Sequence, residues 1–234
     1  MFQKGDFHIH STASDGELTP MEVIGLAKRR GVDIMALTDH NGTLGIGEAI
    51  RAGRDYGITV IQGVELSTRF NNERIHILGY FKDDRYKGEV FQKVLRLIKV
   101  HKIKNVQYML KRLANLEIDT DNSSGRLSVL SGIEILRFFG AVVVLAHPVL
   151  INRSCLTEII NMPFDGIEAK YCRNNEDDTR FFIKLTKDME KFYTAGSDFH
   201  TNRTRDLKHG LIGDVYLNSN EINIFLKQTG LIER

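Results

Sequence analysis

The sequence predicts an α/β protein whose parallel strands are covered by helices, as an open doubly wound sheet or a closed barrel. Two observations carry this expectation. Short apolar runs alternate with helical patterns along most of the 234 residues. Histidines and carboxylates then recur at the carboxyl ends of those runs, the face on which α/β sheets build their sites. A third observation weakens the nucleotide-fold version: no Gly-rich loop follows the first strand.

Strands are expected at 6–10, 33–37, 59–61, 74–80, 141–146, 166–170 and 192–195. The first helix has a readable start, with Thr19 as N-cap, Pro20 in the first turn and Glu22 completing a capping box; Gly31 closes it. Further helices are expected at 44–56, 89–116, 129–139, 176–191 and 221–228. The apolar stretch AVVVLA at 141–146 reads as a buried strand and is far too short to span a bilayer.

Composition excludes several classes of function. Charged residues make up 26% and hydrophobic ones 42%, as in an ordinary globular protein. A formal net charge of +2 gives no general electrostatic case for nucleic acid or membrane. Two cysteines make neither a disulfide framework nor a thiolate zinc site, and the start MFQKGDFHIH lacks the apolar run of a signal peptide, so a cytoplasmic protein is expected.

The eight histidines are not scattered. His8 and His10 end the first strand in FHIH, where side chains at i and i+2 share a face. His40 follows the second strand in MALTDH, His76 lies on the fourth, His147 ends the fifth in VVVLAHP, and His200 closes the seventh in AGSDFH. Asp15, Asp39, Glu65 and Asp198 accompany them. So many polar groups on one buried face need partners, and metal ions would supply them. His101 and His209 fall outside these motifs and read as surface or structural residues.

The order HIH, ASDG, TDH, GVE, IHILGY, AHP and GSDFH resembles the polymerase and histidinol phosphatase (PHP) superfamily of metal-dependent phosphoesterases. FHIHSTASDGELTP and ALTDHNGTLGI are most similar to its branch of nucleoside 3′,5′-bisphosphate phosphatases and small exoribonucleases. The resemblance implies a single domain over 1–234: a distorted (β/α)7 barrel with a short helical insertion, or cap, around 82–130. It also implies three divalent ions, of manganese, zinc or iron. His8, His10, Glu65 and Asp198 match the ligands of one metal, and Asp15, His40 and His200 those of a second. His76 and His147, with Glu65 bridging, match those of the third.

Imidazoles and carboxylates without thiolates suit such metals. The ions would attract a phosphate dianion, and bound water would have its pKa pulled from 15.7 toward ~7, making an attacking hydroxide. Asp39 and His200 are the candidate proton donors to the leaving alkoxide; Asp39 could instead orient ligands. The implied substrate is a small phosphorylated molecule, a nucleotide before histidinol phosphate, with short RNA 5′ ends as a further possibility. A catalytically inactive metal-binding module of nucleic-acid machinery is the alternative of another class. No membrane association and no obligate protein partner is expected.

Substrate contacts are less distinct. Residues 82–112 carry ten Lys or Arg against three acids, including Lys93, Arg96 and Lys99. They read first as a solvated helix face, and Arg96 becomes a phosphate contact if this segment caps the site. Lys170 and Arg173, at the end of the sixth strand and just beyond it, are candidate phosphate contacts. The bisphosphatase branch carries an Arg-Pro-His segment in a longer insertion. Here the corresponding stretch, DNSSGRLSVLSG at 121–132, is short and offers only Arg126.

Overall fold

A computed structural model describes residues 1–203 and 206–232. Among these residues, eight strands form one sheet in the order β7-β6-β5-β4-β3-β2-β1-β8. They are β1 (Lys4–Ile9), β2 (Ile34–Leu37), β3 (Thr59–Phe70), β4 (Glu73–Phe81), β5 (Ala141–Leu145), β6 (Gly166–Tyr171), β7 (Phe192–Gly196) and β8 (Leu217–Asn218). Past its last residue, β7 returns to β1: His10 N donates to Phe199 O and Asp198 N to His8 O, each at 2.9 Å. These two bonds bring the sheet almost to closure at its carboxyl end, giving the distorted barrel expected.

The helices are α1 (Pro20–Arg29), α2 (Ile46–Tyr56), α3 (Glu89–Lys99), α4 (Ile103–Ala114), α5 (Val129–Phe138), α6 (Arg153–Ile160), α7 (Glu176–Asp188) and α8 (Ser219–Thr229). The capping box expected before α1 is present: the Thr19 hydroxyl accepts from Glu22 N, and Glu22 accepts from Thr19 N at 2.8 Å. Phe225 of α8 packs against Phe7, Tyr80 and Phe192 at centroid distances of 4.7, 6.0 and 5.5 Å. Those rings come from β1, β4 and β7, so α8 plugs the amino-terminal end and leaves the other end open. Among the described residues, no helix is long and apolar enough to cross a membrane.

Three expectations are corrected. The sheet is not all parallel: β4 runs antiparallel to both β3 and β5. The strand expected at 59–61 continues to Phe70 and turns into β4 through Asn71 and Asn72, at φ 50° and 65°. Paired left-handed residues are what a tight hairpin requires, and asparagine tolerates them. The helix expected over 89–116 is two. Phe91, Val94, Leu95 and Ile98 make one buried stripe, but the next buried residue is Ile103, one place out of phase. The chain reverses between the helices at His101, φ 60°. α6 and the two-residue β8 carried no readable pattern.

Candidate metal centre

Glu65 lies in the middle of β3, 1% exposed. Its Oε2 is 3.2 Å from His8 Nε2, 3.1 Å from His10 Nε2 and 3.1 Å from His40 Nδ1. Its Oε1 is 2.9 Å from His76 Nδ1 and 3.1 Å from His147 Nε2. His8 and His10 reach it by the i, i+2 geometry of β1. His76 reaches it because β4 is reversed: Ser67 pairs with His76 and Glu65 with Leu78, which carries the beginning of β4 to the open end of the barrel. In a parallel β4 the same histidine would lie toward the plugged end.

Asp198 completes the buried group, with Oδ1 3.3 Å from His8 Nε2 and 3.2 Å from His10 Nε2. Tyr171 Oη donates to its other oxygen at 2.9 Å. Asp15 sits at the mouth, half exposed, 3.6, 3.8 and 3.4 Å from His10, His40 and His200. His200 stacks on His10 at 4.1 Å and on His209 at 4.0 Å. All nine residues expected as ligands therefore meet at one end of the barrel.

This constellation fits divalent metal. Among the described residues, Nε2 of His8, both ring nitrogens of His10, Nδ1 of His40 and Oε2 of Glu65 are buried without a hydrogen bond. Orphaned groups of this kind cost several kcal/mol unless something satisfies them. Within the cluster, ligand atoms of His10, Asp15, His40 and His200 lie within 4.8 Å of one another, as do those of His8, His10, Glu65 and Asp198, and those of His40, Glu65 and His76. Nitrogen and oxygen donors without sulfur suit zinc, manganese or iron.

The electrostatics agree with a site built for cations. Burial opposes ionisation of Glu65, but the surrounding His40, His8 and His76 hold its pKa well below the usual range. Burial is likewise overcome at Asp198 by His8 and His10, and at Asp15 by His200 and His40, so both carboxyls are depressed. Burial would lower His10, yet Asp198 and Glu65 raise it to about 9; His40, where burial prevails, falls to about 4. Two expected ligands occupy left-handed backbone, His147 at φ 30° and Asp198 at φ 53°. Non-glycine residues pay for that conformation, and it clusters at functional sites.

The remaining expected residues divide. Asp39 is buried and its oxygens accept from Ser11 N and Ser11 Oγ at 2.8 Å and from Ser14 Oγ at 2.6 Å. It thus holds the loop that carries Asp15. His200 Nδ1 faces the Asp198 carbonyl at 2.8 Å. Arg173 lines a cavity of about 540 Å³ together with His147, Asp198 and His200. Lys170 does not line it, being paired with Glu221 at 2.7 Å, and Arg96 points to solvent from α3.

Other residues of the site gave no sequence signal or a weak one. His209, expected to be surface or structural, lines the same cavity, with Nδ1 2.8 Å from Asp206. A second cavity of about 370 Å³ is lined by Asp15, His40 and His76 together with Arg69, Arg74 and Arg126. Arg69 and Arg74 flank the β3–β4 turn, where nothing in the sequence set them apart from solvated charges. Glu168 was legible only as an acid within the apolar run GIEAK.

A nearly closed α/β barrel with clustered histidines and carboxylates at its open end defines a metal-dependent hydrolase. The PHP domain matches residues 6–142, and the chain belongs to that family of metal-dependent phosphoesterases. The 5′-3′ exoribonuclease of Haemophilus influenzae is 27% identical over 249 aligned residues, covering 86% of this chain and 91% of that one. The 3′,5′-nucleoside bisphosphate phosphatase of Chromobacterium violaceum is 46% identical over 74 residues, 32% of this chain and 26% of that one. In structure, the chain resembles a candidate metal-dependent phosphoesterase of Bifidobacterium adolescentis, with a TM-score of 0.71 at 19% identity over 96% of both chains.

Proposed function

We propose that this phosphoesterase acts on nucleotides carrying a phosphate beside the one that is cleaved, such as a nucleoside 3′,5′-bisphosphate or the 5′ end of a short RNA. The observation that carries this reading is the arginine-lined cavity. It opens from Asp15, His40 and His76 and runs to Arg69, Arg74 and Arg126, none of which makes an ion pair among the described residues. Three guanidiniums without an acidic partner among the described residues, Arg69 donating from Nη1 to the Asn72 carbonyl at 2.9 Å, suit a second phosphate, which planar donors bind in a forked geometry. Arg126 takes the place of the absent Arg-Pro-His segment. The names of the Haemophilus and Chromobacterium relatives favour the same substrate class.

In this reading the domain is single, and the α3–α4 hairpin is its short cap, with Ile98, His101 and Ile103 forming one wall of the arginine cavity. Three metals would be held by His8, His10, Glu65 and Asp198; by Asp15, His40 and His200; and by His76, His147 and Glu65. When bound, divalent ions neutralise the phosphate and acidify water for in-line attack on phosphorus. Arg173, which lines the cavity shared with His147, Asp198 and His200, meets the phosphate. Both oxygens of Asp39 are engaged by Ser11 and Ser14, so it positions Asp15 rather than touching substrate. His200, its Nδ1 at a carbonyl and its Nε2 toward Asp15, serves as a ligand. The two free cysteines are in keeping with a cytoplasmic setting.

The test is phosphate release by manganese-loaded protein from adenosine 3′,5′-bisphosphate, adenosine monophosphate and histidinol phosphate in parallel. The bisphosphate should lead in kcat/KM by roughly tenfold or more, the worth of about one charge-assisted hydrogen bond. A lead for histidinol phosphate would reject the nucleotide assignment.

A further inference from the structure

Glu168 lies on β6 with no exposed surface. An interior carboxylate is costly unless each oxygen is matched. Oε1 lies 3.0 Å from His8 Nδ1, and Oε2 accepts from the backbone N–H of His147 at 2.7 Å. Those two histidines belong to different metals in the three-metal reading, on which this inference rests. We propose that Glu168 is a positioning residue that fixes the donor atoms of the first and third metals together and leaves the second, held by Asp15, His40 and His200, alone.

The reason differs on its two sides. A carboxylate only accepts, so His8 must carry its proton on Nδ1, which leaves the Nε2 lone pair facing Glu65 and Asp198 at 3.2 and 3.3 Å. Without Glu168 the proton is free to move to Nε2, and a protonated nitrogen cannot bind metal. At His147 the partner is the main chain. That residue sits at φ 30°, a conformation that a histidine adopts only when its surroundings hold it there. The N–H bond to Glu168 supplies that hold, and the ring then reaches Glu65 Oε1 at 3.1 Å. β7 leaves room for the arrangement: a Cβ on Gly196 would fall 2.2 Å from Glu168 Oε1 and 2.3 Å from His8 Cβ.

Glu168→Gln separates the two duties. An amide can offer its oxygen to His8 or to His147, but it turns a donor toward the other. Manganese titration with metal counted per chain, alongside circular dichroism of the metal-free protein, should show an intact fold. Metal affinity should fall about 10–100-fold at the first or third position, with the second unchanged. Equal weakening of every position, or none, overturns the role. A second measurement needs no variant. In zinc-loaded wild-type protein, ¹⁵N spectra of the His8 ring should place the proton on Nδ1 and zinc on Nε2; the reverse tautomer overturns the inference. A wild-type chain that takes up no divalent metal overturns the three-metal reading and this role with it. Normal loading by both wild type and Glu168→Gln overturns the role alone.

Discussion

The Glu65 carboxylate and the His147 imidazole, 82 residues apart in sequence, meet at 3.1 Å in the floor of the site. Oε1 serves this contact and that to His76, while Oε2 serves His8, His10 and His40. One side chain therefore stands between two groups of ligands. Glu65→Ala should lower kcat/KM by roughly 10³-fold or more, about 4 kcal/mol of transition-state stabilisation. It should also reduce metal per chain more than His76→Ala, which removes a donor from one group only. Equal and small effects of the two variants would remove Glu65 from its bridging place.

The arginine cavity separates binding of the second phosphate from chemistry at the first. Arg74→Ala or Arg126→Ala should raise KM for adenosine 3′,5′-bisphosphate by about 10–100-fold, the worth of one or two charged hydrogen bonds. KM for a mononucleotide, which lacks the second phosphate, should change little. Arg96→Ala, on the solvent side of α3, should leave both constants unchanged. Steady-state kinetics with the two substrates checks all three outcomes.

Without metal, protons take the place of cations. Burial disfavours charge on His10, but Asp198 and Glu65 raise its pKa from 6.5 to about 9. A group raised on folding contributes its stability in full below its unfolded pKa and loses it as pH rises through the folded value. Metal-free protein should therefore lose about 3 kcal/mol of stability between pH 6.5 and 9 from this residue. Metal-loaded protein should not follow it, because metal affinity rises as competing protons leave. Denaturation in chelator and in manganese across that range is the comparison to make.

Gly196 packs against two members of the site at once. Its position demands close approach, since an added methyl group would overlap Glu168 and the Cβ of His8. Gly196→Ala should destabilise the chain by roughly 1–3 kcal/mol. It should also weaken metal retention, because relief of the overlap moves His8 away from Glu65. Wild-type metal retention in a folded Gly196→Ala variant would show that His8 tolerates that displacement.

What the sequence determined by itself was chemistry tied to local pattern. Side chains two apart on a strand share a face, so the pairing of His8 with His10 was legible, as was the capping box at Thr19. Histidines and acids recurring at strand ends announced one polar face before any contact was known. Tertiary structure decided what those patterns could not. The reversal of β4 depends on a turn through Asn71 and Asn72 and on pairing with β5, and it alone brings His76 to Glu65. Arg69 and Arg74 face each other across the β3–β4 hairpin while Arg126 comes from a separate segment, and a lone arginine reads the same whether it faces water or a cavity. Glu168 acts through a ring nitrogen 160 residues away and a strained backbone N–H. A partner chosen by barrel closure leaves no periodicity in the chain, because periodicity records only which way a side chain points and not what it meets.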